Sequence, residues 1–193
     1  MFDALLESAA QIIARHAPHH GVFPTLVPGL TLYRIESNAF IERTAGEIMT
    51  TFIVHGRKTT AIGGKMLEYG AGESLVCGIA SPSEFHTLDA SRDNPFLALS
   101  VSLDASILME YADALYDRHQ SGQLSEMPGG VFVICPDEDL RDVFLRLLKI
   151  LDRPKLIAVR APLILRELHA LLLDSSCGAE LRALASAGSE GHA

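Results

Sequence analysis

The chain has 193 residues, 48% hydrophobic and 21% charged, which is apolar surface enough for one core and too little length for a multi-domain machine. Sixteen Lys and Arg stand against 24 Asp and Glu, a formal net charge of −8. That balance excludes a chain that grips a nucleic-acid backbone by its own overall charge, because such binding rests on cations displacing counterions.

Asp3 and Glu7 stand near the start, where a secretory signal needs basic residues. Phe2, Leu5, Leu6, Ala9, Ile12 and Ile13 recur at helical spacing, so residues 1–21 are expected to form an amphipathic helix ending near Pro18, followed by an arm. From 22 to 103, alternating and β-branched runs are cut by Gly- and Pro-containing turns, predicting strands at 30–37, 48–55, 58–62, 65–69, 74–79, 84–88 and 96–103. Gly63-Gly64 supplies the positive φ of a two-residue hairpin turn. Short strands at this spacing predict a small barrel or sandwich.

Helical periodicity returns from 104 to 185. Asp104 caps one helix, and Asp137 caps another whose stripe is Leu140, Val143, Phe144, Leu147, Leu148 and Leu151. Pro154 and Pro162 are expected to bracket a break, after which Ala161, Ile164, Leu165, Leu168, Leu171 and Leu172 form a second stripe, completing an antiparallel helical hairpin. Residues 122–130 are expected to be a loop and 186–193 a polar tail. The fold class is therefore α+β. No run approaches the ~18 apolar residues of a membrane span, and the three cysteines, Cys77, Cys135 and Cys177, lack a C-x-x-C pair and read as reduced thiols of a cytoplasmic protein.

Little in the sequence asks for catalysis. There is no G-x-S-x-G elbow and no phosphate-binding glycine loop. His55 and His86, with Glu84 or Glu47, are the candidate metal ligands; a polar wall or surface role is preferred for both histidines. His16, His19 and His20 are interrupted by Pro18 and read as a solvated loop. Cys77, on an apolar strand, reads as a buried and inert thiol.

The run His55-Gly56-Arg57-Lys58, then Ile62-Gly63-Gly64-Lys65-Met66-Leu67-Glu68-Tyr69-Gly70-Ala71-Gly72-Glu73, together with Asp152-Arg153-Pro154 and Ala161-Pro162-Leu163, resembles the N-terminal regulatory domain of AraC-type transcriptional regulators. The resemblance runs in order over nearly the whole chain. It implies a cupin-like β-barrel or double-stranded β-sandwich that senses a small molecule, and a helical hairpin that pairs two subunits. DNA would be contacted only through helix-turn-helix motifs beyond the last residue given, so the chain is expected to be the regulatory half alone. Metal-dependent cupins carry a G-x5-H-x-H stretch, whereas the matching region here holds Arg43-Thr44-Ala45; His86, after Pro82-Ser83-Glu84-Phe85, is at most one surviving ligand.

The expected function is thus a non-enzymatic effector-sensing and dimerisation module, with no metal or cofactor and no membrane contact. Residues 22–103 would bind the effector and 104–185 would pair the subunits. Arg34, His55, Tyr69, Cys77 and His86 punctuate apolar strands and are the candidate ligand-binding residues. Leu140, Phe144, Leu147, Leu151, Leu165 and Leu168 are the candidate dimer strip. The alternatives are a cupin dioxygenase or isomerase with His55, Glu84 and His86 as ligands, and a purely structural dimerisation module.

Overall fold

The computed structural model describes residues 2–38, 41–44, 48–62, 65–78, 83–115 and 130–190. Helix α1 (Phe2–His16) is followed by nine strands: β1 (Gly21–Pro24), β2 (Leu30–Ile35), β3 (Ile41–Thr44), β4 (Met49–His55), β5 (Arg57–Ile62), β6 (Lys65–Gly70), β7 (Ser74–Cys77), β8 (Ser83–Leu88) and β9 (Phe96–Ser102). Then come α2 (Ala105–Leu115), β10 (Val131–Ile134), α3 (Glu138–Lys149), a 3-10 turn (Ile150–Asp152), α4 (Pro154–Asp174) and α5 (Gly178–Glu190).

The strands pair antiparallel in two sheets, one ordered β1-β2-β9-β4-β7-β10 and the other β3-β8-β5-β6. No ladder joins them among the described residues, so the expected barrel or sandwich is realised as an open sandwich. Strand alternation sends β4 to two cores. Phe52 and Val54 join a cluster with Ile13 of α1, Phe144 of α3 and Leu168 of α4, whereas Met49 and Ile53 join a second cluster with Tyr69 and Phe85 of the four-stranded sheet. The six-stranded sheet is thus covered on both faces, by helices on one side and by the smaller sheet on the other. This is why β4 and β9 read as almost unbroken buried runs.

The strands missing from the expected set are β1, β3 and β10. Each has four residues and lies at a sheet edge, where pairing on one side needs little apolar pattern. β1 ends on Pro24, which an edge strand tolerates. β10 lies between the expected 122–130 loop and the helix capped by Asp137, where no strand is expected; its Val131 pairs with Cys77 and completes the larger sheet. The Gly63-Gly64 turn, Glu47, Ala45, Pro82 and most of the 122–130 loop lie outside the described residues. The register on either side of the turn, Ile62 opposite Lys65, is that of a two-residue connection.

The helical layer corrects the expected dimer strip. Asp137 caps α3 by accepting from the Leu140 N–H at 2.9 Å. Leu140, Phe144, Leu147 and Leu168 are at most 1% exposed, Leu151 is buried and Leu165 is half-buried, all within one chain's own core. The Phe144 ring stacks on Phe52 of β4, with centroids 4.9 Å apart and planes 6° apart. These side chains are spent inside the chain's own core, and of the six only Leu165 keeps partial exposure.

The expected break between Pro154 and Pro162 is also corrected. The chain turns at Ile150–Asp152, Pro154 starts α4, and the helix then runs unbroken through Pro162. Proline inside a helix costs about 3 kcal/mol. Here Pro162 and Ala158, whose carbonyl loses its donor, are both exposed and open to water. Burial of Ile157, Ile164, Leu168 and Leu172, at roughly 1.5–3 kcal/mol per large aliphatic side chain, offsets that loss.

α5 extends to Glu190, into the expected polar tail. Its Leu181 and Leu184 cross Gly78 so closely that a Cβ there would lie 3.0 and 2.7 Å from them. Helix α1 is clasped to the turn before α4 by Asp152, which accepts from Arg15 at 2.6 Å and pairs with His16 at 2.9 Å.

Buried His169 of α4 ties the layers together: its Nδ1–H donates to the Leu165 carbonyl at 2.7 Å and its Nε2 accepts from the Asp104 N–H at 2.8 Å. Burial pushes its pKa below the ordinary histidine value, with the Leu165 hydrogen bond opposing. The unfolded chain therefore binds the proton at a higher pH than the folded one, and stability falls as pH drops below the ordinary histidine pKa of about 6.5. Melting temperatures read from pH 7.5 to 5.5 should decline in the wild type and decline less in His169→Gln, which has no such proton to take up.

Candidate functional site

The second apolar cluster packs between the two sheets and is polar at a few points. On β5, alternation points Lys58 and Thr60 inward, both buried, and leaves Arg57 exposed. The Thr60 hydroxyl and the Tyr69 phenol share a hydrogen bond of 2.7 Å. Thr51 donates to Ser100 at 3.3 Å, beside the sulfur of Met49. Lys58 is only 5% exposed, and its ammonium lies 4.0 Å from the Phe85 ring centroid, 5.7 Å from Phe96 and 5.8 Å from Tyr33. A cation among aromatic faces is held by their quadrupoles.

Of the five residues expected to bind ligand, Tyr69 and Cys77 face this space. Burial pushes the Cys77 thiol up to about 11, with the charge of Lys58 pulling the other way, so it is a protonated, inert group lining the wall. His55 stands at the end of the sandwich, donating from Nδ1 to the Pro95 carbonyl at 2.7 Å. It lines a cleft of about 600 Å³ with Arg57, Glu68, Tyr69 and Glu73. Arg57 is engaged by Glu68 at 2.8 Å and Asp89 at 3.1 Å, and Glu73 accepts from the Gly70 N–H at 2.7 Å. Tyr69 belongs both to the cleft and to the inter-sheet cluster and so joins the two.

Arg34 and His86 are corrections. Arg34 shares the parity of Leu30 and Leu32, which pack toward the helices, and its guanidinium pairs with Glu36 at 2.7 Å. His86 alternates with inward-facing Phe85 and Thr87, so it lies on the outer face of the smaller sheet, paired with Glu84 at 2.8 Å. A one-residue difference in parity puts a side chain on the opposite face. His55, Glu84 and His86 therefore do not converge, and among the described residues no three His, Cys, Asp or Glu side chains gather to hold an ion. The loop histidines are also occupied: His16 pairs with Asp152, and His20 accepts from the Glu36 N–H at 3.0 Å.

Lys58 is the residue that sequence reasoning missed. In the register of the β5–β6 hairpin it sits directly opposite Tyr69, and directly opposed residues share a face. An inward Tyr69 therefore implies an inward Lys58.

Residues 26–180 match the family model described as AraC-type transcriptional regulator N-terminus. No curated protein matches the chain. Among solved structures, the fold is similar to an apo ToxT variant from Vibrio cholerae strain SCE256, at 8% identity over 81% of this chain and 55% of that one, with a TM-score of 0.54. The AraC-like transcriptional activator CuxR shares 12% identity over 86% of this chain and 55% of its own, at a TM-score of 0.46. Unsaturated fatty acid bound wild-type ToxT from the same Vibrio cholerae strain shares 7% over 70% and 51%, at a TM-score of 0.45. The chain spans about half the length of these solved regulators, and at such identities the likeness is one of fold.

Proposed function

The chain belongs to the family of AraC-type transcriptional regulator N-termini, and from that premise we propose that it is a non-catalytic sensor that binds a small acidic effector between its two sheets and pairs with a second copy of itself. The observation that carries this reading is Lys58, a buried cation facing the inter-sheet space among Tyr33, Phe85 and Phe96. An effector with an apolar body and a carboxylate matches that surface, because the rings cover the body while the ammonium meets the charge. His55 and the cleft that Tyr69 shares give the polar end of the path.

Transmission runs through β7. Cys77 borders the site, and Gly78 directly follows it under Leu181 and Leu184 of α5. An effector that shifts β7 alters the seat of the helix that leads toward the DNA-binding region of the whole regulator. The size of that response is limited by the effector's differential affinity for the two arrangements. No helix among the described residues is long and apolar enough to cross a membrane, and a regulator that reaches DNA works in the cytoplasm.

The pairing surface is the other face of α4, where Leu156, Val159 and Leu163 are 40%, 68% and 66% exposed at helical spacing. Leu163→Asp should weaken the dimer by at least about 2 kcal/mol, roughly 30-fold in Kd, read by sedimentation equilibrium. Leu26→Asp, at an exposed site on another element, should leave the Kd unchanged. Equal behaviour of the two variants would remove α4 from the interface.

The sensing claim is tested by thermal melts across a library of carboxylates, amines and neutral compounds. An acid should raise the melting temperature by mass action on the folded state. No shift across the acids, or shifts confined to amines, would count against the reading.

A further inference from the structure

A second binding site lies at the corner where α3 turns into α4, away from the inter-sheet space. Arg146, Lys149, Ile150, Asp152, Arg153 and Arg160 line a groove of about 360 Å³ there. The chain as a whole is acidic, yet four of its 16 Lys and Arg converge on this one concavity. Their charges are not spent on one another's neighbours. Arg146 is braced by Asp142 and Glu167, each at 2.7 Å, and Asp152 is engaged by Arg15 and His16 of α1. Lys149, Arg153 and Arg160 have no side-chain hydrogen bond or ion pair to any described residue.

We propose that this groove binds a diphosphate group, free or carried on a small molecule. Three uncompensated cations suit two linked phosphates, which together stay multiply negative near neutral pH, and guanidinium forks match phosphate oxygens in pairs. The base of the groove is rigid: Ile150 is buried, the 3-10 turn is short, and Pro154 fixes the start of α4. Its volume lies at the low end of small-ligand pockets, about 300–1,000 Å³, and the acidic surface elsewhere disfavours a long polyanion such as duplex DNA. Arg153 immediately precedes α4 and Arg160 lies within it, beside the exposed Leu156, Val159 and Leu163, so the site adjoins the proposed pairing face without depending on the inter-sheet effector.

The test is isothermal titration of the full chain with inorganic pyrophosphate, with orthophosphate and sodium chloride matched in ionic strength, and with a nucleoside diphosphate as a further arm. The expected result is one pyrophosphate per chain, with affinity reduced about 10- to 100-fold in Arg153→Glu, the loss of charge-assisted hydrogen bonds, and reduced in the milder Arg160→Gln. Arg92→Glu, at an exposed position outside the groove, should bind as the wild type does. Tighter binding of the nucleoside diphosphate than of pyrophosphate identifies a carried group, and the reverse identifies the free anion. No saturable binding, equal loss in Arg92→Glu, or full retention in both groove variants would overturn the proposal. So would binding of duplex DNA but not pyrophosphate that is lost in Arg153→Glu, which would assign the groove to nucleic acid instead.

Discussion

Phe144→Ala is expected to destabilise the chain by about 3–5 kcal/mol, the range for deleting a large aromatic side chain from a packed core. Domains of this kind have only about 5–15 kcal/mol of stability in total, so the variant should be partly unfolded at physiological temperature. The reason lies in the helical layer. Phe144 is fully buried on α3 and stacks on Phe52 of β4, which is paired with both β7 and β9 inside the six-stranded sheet. Truncation opens a cavity between helix and sheet that rigid neighbours on both sides cannot close. Urea unfolding should show a lower midpoint with an unchanged slope. A variant of wild-type stability that only loses its dimer would instead return Phe144 to the subunit interface.

Lys58→Met is expected to abolish sensing. Methionine has nearly the length of lysine and packs against the same rings without a charge for the effector to meet. For the wild type at an effector concentration of a hundred times Kd, mass action contributes about 2.7 kcal/mol, or roughly 5–10 °C in Tm for a chain of this size. The same acid should leave the Tm of Lys58→Met unmoved, each protein being read against its own ligand-free baseline. An undiminished shift would place the effector elsewhere.

Much of the fold was legible because strand alternation and turns are local. All seven expected strands exist, with ends displaced by at most two residues. β1, β3 and β10 were not legible, since an edge strand of four residues carries too few side chains to show a period. The amphipathic stripes are legible as apolar faces, but a stripe does not say what covers it. Leu140, Phe144, Leu147 and Leu168, expected at a dimer seam, are spent in the chain's own core, and the apolar positions 156, 159 and 163 are the ones left exposed on α4.

The site was legible in part. Tyr69 and Cys77 were found because both interrupt apolar strands that face the smaller core. Arg34 and His86 fell on the wrong side of the pleat, where nothing but neighbour parity decides. Lys58 was hidden by its type: lysine is rarely buried, so its place in the Gly-Arg-Lys run carries no sign of an inward face. Counting the register back from the Gly63-Gly64 turn would have turned it inward with Tyr69.

Whether the chain is a paired, non-catalytic sensor is read by native mass spectrometry of the purified protein. Subunit number and any retained mass are read in one spectrum. The expected result is a dimer whose adducts, where present, are organic acids that Lys58→Met no longer retains. A monomer, or one metal ion bound per chain, would contradict it.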